Sequence, residues 1–263
     1  MPINLILIAL FIQMKEHRLL ANTATIITKG KRTQIVTAQK INKKPKAIQN
    51  IEETIPSNQP WYHFYTKGDE QYENYMSKEW SIEKRGNAEL FEKLSLEGAQ
   101  AGLSWRIILK KRDAYRRVFH NFQFDKISVM TDDDVDSIIN SEETGNNAVV
   151  KHRGKVLSVI NNAKKVKLMV DSNQSFSDFL WSFVDDKPIL NSWKCASNIP
   201  SKTTESESMS KELKKLGFKF VGPTTCYSLM QSCGMVIDHP VHTVEWRDAH
   251  KRLKKRSEGF QMR

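Results

Sequence analysis

The chain has 263 residues, 39% hydrophobic and 27% charged, with a formal net charge of +11 and a sequence pI near 9.5. At about 100–200 residues per domain, that is apolar material for one substantial core, and it excludes wholesale disorder. Three cysteines (Cys195, Cys226, Cys233) exclude a disulfide framework and a CxxC metal knuckle, and the longest apolar run, Ile3–Ile12, is shorter than the ~20 residues of a spanning helix. An intracellular, reducing compartment is expected.

Residues 1–60 hold nine Lys/Arg against three acids, a surplus of six, and residues 247–263 hold seven against two, a surplus of five. The remaining 25 basic and 25 acidic residues leave the centre neutral. A pI this high points to a polyanionic partner, although the surplus also reads as two solvated flanks. Residues 1–60 are expected to be a disordered basic leader. They are acid-poor and hydroxylated, as in an organellar transit peptide, and are equally compatible with a misassigned gene start.

From Trp61 onward the pattern is helical, and an all-α domain of seven or eight helices is predicted over 61–246. Leu90, Phe91 and Leu94 give a three-to-four spacing in Ala88–Leu94. Trp105–Phe119 reads as one amphipathic stretch. Thr131–Ile139 opens on a Thr and three Asp, a cap followed by first-turn acids. Lys155–Val170, Ser175–Val184, Ser208–Leu216 and Pro223–Cys233 follow, with no convincing strand between them. The polar run Ser201–Ser208 is expected to be a mobile loop, and 247–263 a basic tail.

Two segments carry chemistry. In the helix–hairpin–helix at about 208–233, Gly217 stops one helix, Gly222 offers a second unusual backbone angle, and Pro223 starts the next helix. Such a hairpin points backbone amides at a phosphate without reading bases, though an ordinary helical hairpin has the same signals. Upstream, Glu97 lies among Leu94, Leu96, Ala99 and Ala101, with Tyr72, Tyr75, Trp80 and Trp105 near it in sequence. An acid in apolar surroundings is costly unless it is bonded or does chemistry, and the aromatics read either as core or as a stacking box for a planar, cationic ring.

These stretches resemble the DNA-3-methyladenine glycosylase I family of helix-hairpin-helix glycosylases. The resemblance runs from about Tyr65 to Thr243, and rests chiefly on Leu96-Glu-Gly-Ala-Gln-Ala-Gly-Leu-Ser-Trp105 and Leu216-Gly-Phe-Lys-Phe-Val-Gly222. It implies the helix-hairpin-helix glycosylase fold and excision of 3-methyladenine from alkylated double-stranded DNA by a monomer, with no membrane role. Glu97 falls on the pocket carboxylate. Tyr75 and Trp105 fall on the stacking aromatics, with Trp80 beside them and Tyr65 at the pocket edge. Leu103 falls in the loop pushed into the duplex gap. Phe218, Lys219, Phe220, Val221 and Gly222, with Thr224 after them, fall on the phosphate-holding hairpin. Asp238 stands near the position where other superfamily members keep a catalytic Asp, and is a lesser candidate beside a cap or a His239 partner.

The family's zinc clamp is expected to be lost, leaving no cofactor. Met76 and Thr243 stand where ligands are implied, His63 falls near a third, and only His239 is retained; His242 and His250 are the remaining recruits. A non-catalytic DNA-binding module of the same fold and a glycosylase of shifted lesion specificity are the alternatives. The sequence leaves nucleus or organelle open.

Overall fold

The computed structural model describes residues 60–260, so the leader expected over 1–60 lies almost wholly outside the described residues. The described residues are mostly helical, with one pair of two-residue strands. Twelve α-helical segments among the described residues replace the expected seven or eight, because the stretch Trp105–Phe119 divides in two and helices at His63–Thr66, Glu70–Lys78, Phe124–Ser128 and Val244–Phe260 are added.

The chain enters through α1 (His63–Thr66) and α2 (Glu70–Lys78). Asp69 caps α2 by accepting from the Tyr72 amide at 3.2 Å. Tyr72, Tyr75 and Met76 follow at the spacing that puts one helix face inward. The central helix is α3 (Asn87–Ala99), in which every residue from Lys93 to Ala99 is buried. Such all-round burial marks a helix enclosed by its neighbours.

The expected single helix Trp105–Phe119 is two, α4 (Trp105–Lys110) and α5 (Arg112–Val118). At the break the Lys111 amide bonds Ile108 at the shorter i–3 spacing, and its ammonium reaches the Ala148 carbonyl at 2.8 Å. After α6 (Phe124–Ser128), α7 (Asp132–Asn140) starts on a capping box between Thr131 and Asp134. The long α8 (Arg153–Asp171) packs on α6 and α3. Then α9 (Phe176–Trp181) closes in a single 3-10 turn.

The expected loop Ser201–Ser208 is corrected. Thr203 and Ser206 form a capping box that starts α10 (Thr204–Lys215) four residues earlier than apolar periodicity shows. Caps are polar, so a polar run before a helix hides its first turn. The second helix of the pair is α11 (Pro223–Ser232), with proline at its first position as expected. The parallel pair of β1 (Ile189–Leu190) and β2 (Val236–Ile237) brings distant loops together. The basic stretch expected as a tail continues α12 (Val244–Phe260), with Ala249 buried, Trp246 Nε1 donating to Asn191 at 2.8 Å and Arg256 paired with Glu83 at 2.6 Å.

Candidate active site

Glu97 is 3% exposed, and neither of its carboxylate oxygens has a hydrogen-bond partner among the described residues. Ser232 stands close, but its hydroxyl donates to the Leu229 carbonyl at 3.1 Å. Burial pushes the Glu97 carboxyl from 4.5 up to about 8, against an opposing pull from Lys93 and then Ser232. An unpartnered buried acid costs several kcal/mol as a carboxylate, so it persists only where something else meets it.

Two of the expected aromatics share its surroundings. The Tyr75 and Trp105 rings lie 5.1 Å apart at 45°, both at most 2% exposed, and Tyr72 is 6.3 Å from Tyr75. The Tyr75 hydroxyl and the Trp105 indole N–H are also buried with no partner among the described residues. The Tyr75 hydroxyl is held well above its ordinary range, first by burial and then by the Glu97 charge, so it is a neutral donor. Four unsatisfied polar atoms on three neighbouring side chains are an arrangement that apolar packing cannot explain, since each costs about 1–3 kcal/mol.

Trp80 departs from the expected grouping. Its ring packs edge-on against Trp61 at 5.9 Å and His239 at 5.1 Å. Tyr65 is half-buried, with its ring against exposed Phe64 and its carbonyl accepting from Arg106. Leu103 is half-buried against the core in the loop between α3 and α4.

The hairpin docks directly on α3. A side chain at Gly98 would come within 3.3 Å of Phe220 Cβ, so the glycine next to Glu97 is where the two backbones approach. Gly217 takes φ +85 as expected, but the second left-handed residue is Phe220 (φ +56) and not Gly222, whose φ is −64. The side chains of Phe218 and Val221 are buried, Phe218 stacking on Phe176 at 6.0 Å, so only their backbone is available to a phosphate. The Lys219 amide is already bonded to Asn162 Oδ1 at 2.8 Å, while its side chain, like Thr224, is exposed. Asn162 answers with its amide on the Lys219 carbonyl at 2.9 Å, a brace that the sequence did not single out.

Asp238, the lesser catalytic candidate, is buried and held by four donors. Its Oδ1 accepts from Asn191 and Trp193 at 2.8 and 2.6 Å, and its Oδ2 from Tyr227 and Gln231 at 2.6 and 2.7 Å. With four donors satisfied, little of the carboxylate is left for a substrate. Nor is it a His239 partner, because His239 Nδ1 accepts from Trp61 Nε1 at 3.0 Å. Burial lowers that imidazole to about 3, so it stays neutral.

The residues at the expected zinc positions do not fit a metal. Thr243 Oγ1 donates to the Pro240 carbonyl, His63 pairs with Glu73 at 3.6 Å, and His250 stacks on Trp246. Met76 is buried in the core. Among the described residues no three His, Cys, Asp or Glu converge.

Comparison with known proteins places these features in a lineage. The profile of the methyladenine glycosylase family matches residues 65–246. A DNA-3-methyladenine glycosylase of Haemophilus influenzae is 46% identical over 168 residues, 64% of this chain and 88% of its own. DNA-3-methyladenine glycosylase 1 of Escherichia coli is 43% identical over 173 residues, 66% of this chain and 90% of its own. A crystal structure of a 3-methyladenine DNA glycosylase I superposes with a TM-score of 0.64 at 41% identity, covering 68% of this chain and 95% of that one. The Staphylococcus aureus enzyme, solved for its recognition of 3-methyladenine, gives 0.64 at 33% identity over 69% and 94%.

Proposed function

Because the chain belongs to the methyladenine glycosylase family, we propose that it excises 3-methyladenine from alkylated duplex DNA by hydrolysing the bond between base and sugar. The observation that carries this reading is the set of partnerless buried atoms: both Glu97 oxygens, the Tyr75 hydroxyl and the Trp105 indole N–H. A flipped planar base supplies ring faces for Tyr75 and Trp105 and polar edges for those atoms.

The lesion is cationic while attached to the sugar. A carboxylate and an electron-rich ring favour that cation over neutral adenine. When the glycosidic bond breaks, its electron pair passes to the base and cancels the positive charge. Water then adds to the sugar carbon and releases a proton to solvent. The base leaves as a neutral molecule, so no strong acid is required, which suits a site whose one carboxyl is needed as an anion. A module that only bound DNA would gain nothing from an unpartnered acid in its core.

Affinity is assigned to the backbone amides beyond Lys219, to the exposed Lys219 and Thr224, and to Leu103 as the wedge in the gap. Glu97→Gln should reduce excision of 3-methyladenine at least a hundredfold while changing duplex affinity less than threefold. Base release from alkylated DNA and anisotropy titration read the two effects, and turnover like the parent's would remove Glu97 from its role.

The enzyme is proposed to work without zinc, the support being the other engagements of Thr243, His63 and His239. Stoichiometric zinc by elemental analysis, with unfolding on chelation, would overturn this. The three free thiols fit a reducing compartment that contains DNA, whether nucleus or organelle.

A further inference from the structure

A buried carboxyl that must be negative to meet a cation needs positive charge close by. α3 carries one a single turn before Glu97. Lys93 has a side chain 1% exposed, as deeply buried as the core leucines around it. Its Nζ stands 3.2 Å from Glu79 Oε2 and 4.8 Å from the centre of the Tyr75 ring.

The ion pair with Glu79 is by itself a weak reason for burying a lysine here. Glu79 is already gripped by both terminal nitrogens of Arg112 at 2.8 Å each, and Arg112 Nε reaches Glu92 at 2.9 Å. An apolar side chain of the same length would fill the space without the cost of burying an ammonium. What lies four residues further along the same helix is Glu97. Residues so spaced share a face, about 5–6 Å apart at Cβ.

We propose that Lys93 is a positioning residue for base recognition. Its ammonium, pinned by Glu79 beside the Tyr75 ring, is the countercharge that lets Glu97 ionise inside the closed site. This rests on the role assigned to Glu97 above.

The neighbours of Glu97 leave few other sources of such charge. The Tyr72 and Tyr75 hydroxyls face it from α2, and Ser232 and the Cys233 thiol from the end of α11. None of these is a cation. Lys84, in the segment before α3, faces Lys93 and Cys233, and its Nζ is bonded to the Glu79 and Ile82 carbonyls. Arg112 is tied up with Glu79 and Glu92. Lys93 is the largest influence opposing the effect of burial on Glu97.

Lys93→Met, similar in length and uncharged, is the test. In the free protein, the Glu97 carboxyl followed by carbon NMR should titrate at least about one pH unit higher than in the parent, the effect of removing an opposite charge at this range. The acid limb of the single-turnover excision profile should move by the same amount, lowering the rate at pH 7 about tenfold per unit. The loss should fade as pH rises. Lys93→Arg should titrate like the parent. If Lys93→Met fails to fold, Lys93→Gln, which keeps a donor for Glu79, should show the same displacement. An unchanged Glu97 midpoint, or a rate loss equal at every pH, overturns the proposal. A displaced midpoint in a protein that releases no 3-methyladenine upholds the electrostatic role and overturns the assigned substrate instead.

Discussion

Replacing Glu97 by Gln should make the folded protein more stable, and increasingly so as pH rises. The native carboxyl holds its proton up to about pH 8, whereas the same group ordinarily releases it near 4.5. Its folded value is therefore raised. The stability it contributes is fully present below 4.5 and is lost as pH climbs through about 8. At about 1.4 kcal/mol per pH unit, the interval corresponds to an upper bound on the order of 5 kcal/mol. Roughly 3 kcal/mol of that is gone by pH 7, and the rest between pH 7 and 9. Glutamine does not titrate, so subtracting the two proteins cancels the ionisable groups that do not face Glu97. Urea unfolding at pH 5, 7 and 9 should show a Gln-minus-Glu difference near zero or slightly negative at pH 5 and of several kcal/mol at pH 9. Parallel curves would refute the reasoning, because they would mean that Glu97 is either solvated or already bonded in the native state.

The two hairpin glycines should behave differently. Gly217→Ala places a side chain at φ +85, 3.1 Å from Lys165 Cε, and should cost about 1–2 kcal/mol by chemical denaturation. Gly222→Ala lies at φ −64 in open space and should change stability by less than about 0.5 kcal/mol, so any fall in duplex affinity there reports a close approach of DNA. Asp238→Asn turns a donor toward groups that themselves donate, and should destabilise by about 3–5 kcal/mol. A variant of parental stability that had lost excision would instead make Asp238 catalytic.

Much of the site was legible because its signals are local. Thr131 before three acids, Pro223 at a first helical position and Gly217 at a helix stop each act within a turn of chain, and each stands where expected. The isolated acid was legible for the same reason, since its apolar neighbours are its neighbours in sequence. What was not legible depends on partners far along the chain. Trp80 and Trp105 are the same residue type near the same acid, and only Trp61 and His239, the latter 159 residues beyond Trp80, draw Trp80 into another cluster. The donors on Asp238 were not legible, because Asn191 and Trp193 come to it across the β1–β2 pair, which at two residues per strand leaves no periodicity to detect. Lys93 carries no signal in the sequence, because the spacing of Leu90, Phe91 and Leu94 does not show that α3 is buried all round from residue 93 onward.

The glycine at 98 shows how the two kinds of information meet. By sequence it is a small residue beside the acid. In the fold, its missing side chain lets Phe220, the left-handed residue of the hairpin, settle against α3 one residue from Glu97. The Asn162 brace fixes the same hairpin from α8 through both the amide and the carbonyl of Lys219. The hairpin and Glu97 are thus held by one short stack of backbone. In the function proposed above, a strand gripped at the hairpin would be set at a fixed distance from Glu97, and that distance would decide which nucleotide reaches the site. The hairpin would then be indifferent to sequence while excision is specific, with position set by the phosphate and identity by the charge of the base.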